Sequence, residues 1–161
     1  MSFQIGAHRI GSIPFATKGN SIAVLFVTSQ KRGRWILPKG IPKPNESHLS
    51  ACQRESFEEA GVRGKVLGDF PLTGLITKYA EHRKQQFPVT YYPMLVNDQF
   101  NEWPEQDRRE RHWVLLQDAS HAAYRDDLLA IIQDFESLTP WIRELAANYK
   151  DKLQEGPMQE L

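Results

Sequence analysis

Three carboxylates fall close together in Arg54-Glu55-Ser56-Phe57-Glu58-Glu59-Ala60-Gly61-Val62. An α-helix turns about 100° per residue, so with Ser47 at about 0°, Glu58 lies near 20°, Glu55 near 80° and Glu59 near 120°. They share an arc of about 100°. Leu49, Cys52, Phe57 and Ala60 spread over about 140–280°, so the helix is expected to bury one side and expose an anionic one. Like charges at i, i+3 and i+4 oppose a helix unless something neutralises them. Hard divalent cations do this well, because carboxylate oxygens are their preferred ligands, and a bound Mg²⁺ accepts phosphate oxygens as further ligands. The plain alternative is a solvated acidic face with Arg54 as a local partner.

The wider spacing bears on that choice. Gly40 is followed after five residues by Glu46, after seven more by Arg54-Glu55, and then by Glu58-Glu59, Gly61 and Val62. This resembles the Nudix box, GX5EX7REUXEEXGU, in which U is a bulky aliphatic residue. Ser56 departs from the pattern. It lies at about 180°, on the apolar side, where a small residue suggests close helix packing.

The resemblance to the Nudix hydrolase family implies an α/β fold, an α/β/α sandwich around a mixed sheet with the catalytic helix after the Gly40 loop. It also implies hydrolysis of a pyrophosphate-type linkage with Mg²⁺ or Mn²⁺ as cofactor. By motif match, Glu55 and Glu59 are metal ligands, Glu58 is a metal ligand or general base, and Arg54 orients the carboxylates by charge-assisted hydrogen bonds. The backbone near Lys39-Gly40 is expected to add a carbonyl ligand, and Glu46 to be structural.

The flanks point to a branch. Trp35-Ile36-Leu37-Pro38-Lys39-Gly40 is similar to the WxxPxG lead-in of diphosphoinositol polyphosphate phosphohydrolases and diadenosine polyphosphate hydrolases. Glu102-Trp103 and Arg109-Glu110-Arg111-His112-Trp113 resemble a later segment of the same enzymes. The resemblance covers roughly residues 21–135, and Lys39 stands where many diphosphoinositol enzymes have glycine. The implied substrate is a diphosphoinositol or diadenosine polyphosphate, with an RNA 5′ end, another nucleoside diphosphate derivative or a non-catalytic nucleotide-binding domain as alternatives.

Basic clusters supply candidate phosphate contacts: Lys31-Arg32-Gly33-Arg34, Lys39, His82-Arg83-Lys84 and Arg108-Arg109-Glu110-Arg111. Arg34, Lys39, Gly40, Arg83 and Arg109 are the chosen substrate-binding residues. Arg109 matches a phosphate-binding position in the diphosphoinositol branch. Taken singly, such a side chain is more often a solvated surface charge; it is the set, on a neutral protein, that points to phosphate contacts. Trp103, in a polar loop, is the tryptophan most open to stacking on a base.

Twenty Lys and Arg balance twenty Asp and Glu, so no global field recruits nucleic acid or a membrane. The expected partner is a small polyphosphate. The single cysteine excludes an intrachain disulfide and suits a reducing cytoplasm. No apolar run reaches the ~18 residues of a membrane span, and Met1-Ser2-Phe3-Gln4 lacks signal-peptide character. His48, His82, His112 and His121 show no zinc spacing, and no P-loop or GxSxG occurs. Cys52, on the helix's apolar side, is a core residue rather than a nucleophile.

Several elements must position these groups. Ser21–Thr28 is a nearly continuous apolar run, the mark of a strand covered on both faces. Pro38, Pro42 and Pro44 keep the following loop non-helical. The spacing predicts a helix capped by Asn45, with Glu46 in its first turn, ending at Gly61. Two strands are expected over 62–77, broken near Gly68-Asp69, and others over 87–96 and 110–116, with Pro14 suiting an edge or a strand end and Pro88 and Pro93 marking edges or bulges. Asp127–Leu138 is an amphipathic helix with Leu128, Ile131, Ile132 and Phe135 on one stripe. The expectation is one Nudix domain over 1–153 and a flexible tail over 154–161.

Overall fold

The run Ser21–Thr28 forms strand β3, and its side chains divide between two hydrophobic clusters. Ile22, Val24 and Phe26 enter one, Leu25 and Val27 the other, as the two-residue period of a strand requires. It is therefore a strand covered on both faces, the reading its composition gives. The computed structural model describes residues 3–31, 33–80, 82–123 and 126–159.

The other strands are β1 (Phe3–Ile5), β2 (Arg9–Lys18), β4 (Trp35–Ile36), β5 (Lys39–Gly40), β6 (Val62–Val66), β7 (Leu72–Ala80), β8 (Arg83–Gln99) and β9 (Arg111–Leu115). Among the described residues they join one mixed sheet. Long β8 pairs in parallel with β1 and β2 and antiparallel with β6 and β7, while β3 pairs antiparallel with β2, β4 and β9. Helix α1 (His48–Ala60) packs Ala51, Cys52 and Ala60 on one face, against Leu25, Val27 and Met94. The other face holds Ile13, Phe15, Phe26, Phe87 and Tyr91 with residues of α2 (Leu116–Ala122), α3 (Asp126–Ser137) and α4 (Thr139–Gln159). Leu128, Ile131, Ile132 and Phe135 all point into that cluster, as their spacing predicts. The result is a mixed sheet between helical layers, an α/β fold.

The entry to α1 differs from the sequence reading. The cap is Ser47, whose Oγ accepts from Ser50 N–H at 3.1 Å, an interaction worth about 1 kcal/mol. Asn45 instead takes a left-handed conformation, φ 63°, in the loop before it. Glu46 consequently precedes the first turn and accepts from Lys43 N–H at 3.0 Å. The exit is as expected: Gly61 adopts φ 66° and its N–H bonds Phe57 O. Ser56 is fully buried and donates to Ser12 Oγ of β2 at 2.7 Å, so a small polar residue lets α1 sit close to the sheet.

Pro14, Pro88 and Pro93 lie inside the sheet rather than on its edges. Pro88 falls between the part of β8 paired with β1, ending at Gln86, and the part paired with β2, starting at Val89. Pro93 falls between the β7 ladder, ending at Tyr91, and the β6 ladder, starting at Met94. Pro14 falls between the β5 partners Ile10 and Gly11 and the β3 partner Phe15. Each proline lies where, on one side of its strand, one partner gives way to the next, while the ladder on the other side runs through it. At the C-terminal end, helical backbone is described through Gln159, and residues 160–161 lie outside the described residues.

Candidate active site

Strand β5 and helix α1 meet at Gly40 and Glu55. A Cβ on residue 40 would lie 2.2 Å from Glu55 Oε1 and 2.6 Å from Oε2, so only glycine lets the backbone rest on the carboxylate. Arg54 holds the surrounding charges. Its Nε and Nη2 make a fork on Glu46, each at 2.9 Å, and its Nη1 reaches Glu55 Oε1 at 2.7 Å and Glu58 Oε2 at 3.4 Å. A planar guanidinium suits such bidentate pairing. Arg54 thus orients the acidic group, and Glu46 fixes Arg54.

Glu55 and Glu59 are 7% and 4% exposed, so the anionic side expected to face solvent is largely buried, and only Glu58 is half-exposed. Residues from distant segments close over it. Arg109 Nη2 stands 3.5 Å from Glu59 Oε1 while its Nε binds Glu105 at 3.0 Å and its Nη1 donates to Thr28 O at 2.8 Å. Lys39 adds a second positive charge, felt by Glu59. Burial raises the Glu59 pKa, opposed by Arg109 and Lys39 and assisted by Glu55. Burial lowers that of Lys39, opposed by Glu59 and assisted by Arg9, Arg109 and Lys78.

Arg9 completes the group. Its guanidinium carbon lies 3.9 Å from the Phe87 ring centroid, and Lys39 Nζ lies 5.9 Å from the same centroid. Among the described residues, Arg9 Nε and Glu59 Oε1 are the buried side-chain polar atoms with no hydrogen-bond partner. A buried polar atom without a partner costs about 1–3 kcal/mol, which stands out in a native fold. One orphan is a donor and the other an acceptor, and an anionic ligand together with a cation would satisfy both.

A model of the NUDIX domain family matches residues 8–135. The chain belongs to the NUDIX family. A chloroplastic protein of Arabidopsis thaliana, Nudix hydrolase 21, is 36% identical over 118 residues, covering 68% of this chain and 56% of the relative. The chain therefore spans little more than half of that protein. Diphosphoinositol polyphosphate phosphohydrolase 3-beta of Bos taurus is 28% identical over 113 residues, 69% of this chain and 65% of that one. Among solved structures, an Ap4A hydrolase binary complex of C. elegans superposes with TM-score 0.65 at 20% identity, covering 83% of this chain and 97% of that one. That likeness shows the NUDIX fold.

Within the NUDIX fold, the residues singled out in the sequence separate. Arg54, Glu55, Glu58, Glu59, Lys39, Gly40 and Arg109 converge. Glu58 lines a cavity of about 410 Å³ with Phe57, Arg63 and Pro104, on the outer side of α1. Arg34 lies in the turn from β3 to β4, where its N–H donates to Ser29 Oγ at 3.0 Å. Arg83 is exposed at the tip of the β7–β8 hairpin, and among the described residues no ion pair joins it to the glutamates. Arg32, of the same sequence cluster as Arg34, lies outside the described residues. Trp103 is engaged elsewhere: its indole donates to Glu59 O at 3.1 Å and Arg111 covers its ring at 4.0 Å, which closes the end of α1 and leaves that face unavailable to a base.

Arg9, Phe87 and Lys78 escaped the sequence reading. Arg9 and Phe87 look like ordinary strand residues, and only the register Arg9↔Val89 places that arginine beside the ring. The available signal was an arginine inside an otherwise apolar stretch, Arg9 before Ile10.

Proposed function

We propose that this chain is a metal-dependent hydrolase of phosphoanhydride bonds in a highly charged metabolite. The supporting observation is the pair formed by Glu55, packed against Gly40, and Glu59, whose Oε1 is buried and lacks a hydrogen-bond donor. Among the described residues no three His, Cys, Asp or Glu side chains are already gathered as a ligand set. Two adjacent carboxylates and a phosphate-bearing substrate nevertheless suit a hard cation, which fills its remaining positions with water and phosphate oxygens. Glu55 and Glu59 would hold Mg²⁺ or Mn²⁺, with Gly40 offering backbone contact. The ion would supply charge neutralisation at the phosphoryl oxygens and an activated water.

The protein's own part is positioning. Arg54 holds Glu55 and Glu58 through charge-assisted bonds, and Glu58, half-exposed, is free enough to accept a proton from water as general base. Lys39, Arg9, Lys78 and Arg109 gather positive charge around the carboxylates, as a polyphosphate demands. Arg34 and Arg83 remain proposed outer contacts. The substrate classes are a diphosphoinositol polyphosphate and a diadenosine polyphosphate, the two named for similar proteins. A reducing compartment, the cytoplasm in the simplest case, suits the single buried Cys52. Among the described residues no helix is long and apolar enough to cross a membrane.

The test is a set of phosphoanhydrides incubated with Mg²⁺ or Mn²⁺ and read by product mass, with Glu59→Gln as control. Metal-dependent cleavage that falls at least ~100-fold in Glu59→Gln supports the proposal. Equal cleavage by the variant, or no cleavage of any phosphoanhydride, overturns it.

A further inference from the structure

Glu58 and Glu59 lie in the last turn of α1, just before the cap Gly61. The final carbonyls of a helix lack intrahelical donors, so a last turn frays unless outside groups hold it. Here the donors come from one stretch, the connection from β8 to β9 and the first residue of β9. Glu105 N–H donates to Glu58 O at 3.0 Å, Trp103 Nε1–H to Glu59 O at 3.1 Å and Arg111 Nη1 to Ala60 O at 2.9 Å. Phe100 N–H donates to Gly61 O at 2.8 Å, so four successive carbonyls accept from that stretch. Arg111 also brings a positive charge to a helix C-terminus, where the dipole favours it.

The fit is close. A Cβ on Gly61 would stand 2.7 Å from Arg111 Nη1 and 2.8 Å from Trp103 Cγ, so the indole and the guanidinium rest on bare backbone. Turn bonds keep the connection in shape: Trp103 N–H donates to Gln106 Oε1 at 2.9 Å, and Arg108 N–H to Glu105 O at 2.9 Å. The same stretch grips Glu59 a second time, because Arg109 Nη2 stands 3.5 Å from its Oε1. The Glu105 carboxylate accepts from Arg109 Nε at 3.0 Å and from Gln30 Nε2 at 2.7 Å, which fixes that guanidinium. Glu59 is thus held by its carbonyl and by its carboxylate. Glu55 is held independently, one turn earlier, by Arg54 and Gly40.

We propose that Trp103 and Arg111 are positioning residues, which anchor the last turn of α1 so that Glu58 and Glu59 keep their place relative to Glu55. The role rests on the hydrolysis reading, whereas the effect on the carboxylates themselves can be measured without any substrate. Glu55 has its own supports, so loosening the end of α1 changes the spacing between Glu55 and the two later glutamates. A displacement of about 1 Å in a positioned group costs about 100-fold in rate. A cap that served stability alone would lower the Tm of a variant and leave the carboxylates of its native state where they are.

Two variants test this. Trp103→Phe keeps a ring on Gly61 and removes the N–H that Glu59 O accepts; Arg111→Lys keeps the charge and removes the planar fork. Both are compared with the wild type well below their Tm. In the first arm, binding of Mn²⁺ alone is titrated by electron paramagnetic resonance. Weakening by about 10-fold is expected, the scale on which groups that orient a ligand act. In the second arm, kcat and KM are measured for whichever phosphoanhydride the wild type cleaves. A kcat lower by about 10- to 100-fold with KM close to wild type is expected, since neither side chain is placed on the substrate. Wild-type Mn²⁺ affinity in both variants, or unchanged kcat beside a lowered Tm, overturns the inference. If the wild type binds Mn²⁺ and cleaves no phosphoanhydride, the hydrolysis reading fails and the Mn²⁺ titration decides the positioning. If it binds no Mn²⁺, both fall. A folding defect in Arg111→Lys leaves the decision to Trp103→Phe, the smaller change.

Discussion

A methyl group on Gly40 would lie 2.2 Å from Glu55 Oε1, so the backbone of β5 and the Glu55 carboxylate share one contact surface. That relationship joins the loop to the helix, and it makes Gly40→Ala a sharp probe. The new methyl must push Glu55 aside or move β5 off Ile10 and Gly11, its ladder partners. Overpacking of this kind costs about 1–3 kcal/mol. A displacement of about 1 Å in a positioned group lowers turnover by about 100-fold. The expected outcome is a folded protein with a modestly lower Tm and a kcat for phosphoanhydride cleavage reduced by about that factor. Wild-type turnover in Gly40→Ala would show that the contact does not position the carboxylate.

The Arg54 fork predicts an acid-sensitive contribution to stability. The hydrogen bonds from Arg54, and then the Lys43 N–H, hold the Glu46 carboxyl at about 2. An unfolded glutamate titrates near 4.3. A group whose folded pKa is depressed stabilises the fold above its unfolded value, and that stabilisation is lost as pH falls from about 4 towards 2. Urea unfolding at pH 5 and at pH 2.5 should show a larger acid loss in the wild type than in Glu46→Gln. Equal pH dependence in the two proteins would remove the ion pair from the account.

Asp127 stitches α3 to the sheet. Its Oδ2 accepts from Thr77 N–H at 2.7 Å, on the edge of β7, and its Oδ1 accepts from Leu128 N–H at 2.8 Å. Asp127→Ala leaves both donors without that partner and is expected to cost about 1–2 kcal/mol. Chemical denaturation measures the loss, and amide exchange at Thr77 should quicken in the variant. An unchanged Thr77 exchange rate would place the hydrogen bond outside the native ensemble.

Cys52 should be inert in the folded protein. It is fully buried in the smaller cluster, and burial pushes its thiol up to about 12. Thiolate is the reactive form, so a thiol reagent at pH 8 meets neither access nor the charged species. Labelling with a chromogenic disulfide is expected only at the rate of unfolding, and addition of urea should accelerate it sharply. Rapid labelling of native protein would show that α1 packs more loosely than the structure has it.

Much of the architecture was legible because local patterns report burial. The unbroken apolar run of β3 announced a strand covered on both faces, and the stripe Leu128, Ile131, Ile132, Phe135 announced the buried side of α3. Gly61 marked the end of α1 because an αL cap needs glycine. The start of α1 was less legible. Asn45 and Ser47 are both good caps, and Asn45 is also tolerant of the left-handed φ that the loop requires. The positions of the strand prolines inside the sheet were not legible, because a sequence shows the missing N–H but not the strand facing it.

The sequence by itself determined which side chains could hold a cation: the helical period places Glu55, Glu58 and Glu59 within one arc, and the resemblance to the Nudix box ties them to Gly40 and Arg54. Only the tertiary structure decided their state. Burial of Glu55 and Glu59 depends on β2, β5 and the loop bearing Arg109, segments separated from α1 by strand crossings that no local pattern encodes. The same holds for Arg9 over Phe87 and Trp35 beside His112, pairs made by strand register between residues some eighty positions apart in sequence. Helix periodicity is a property of consecutive residues. Register, and the desolvation that follows from it, belongs to the assembled sheet.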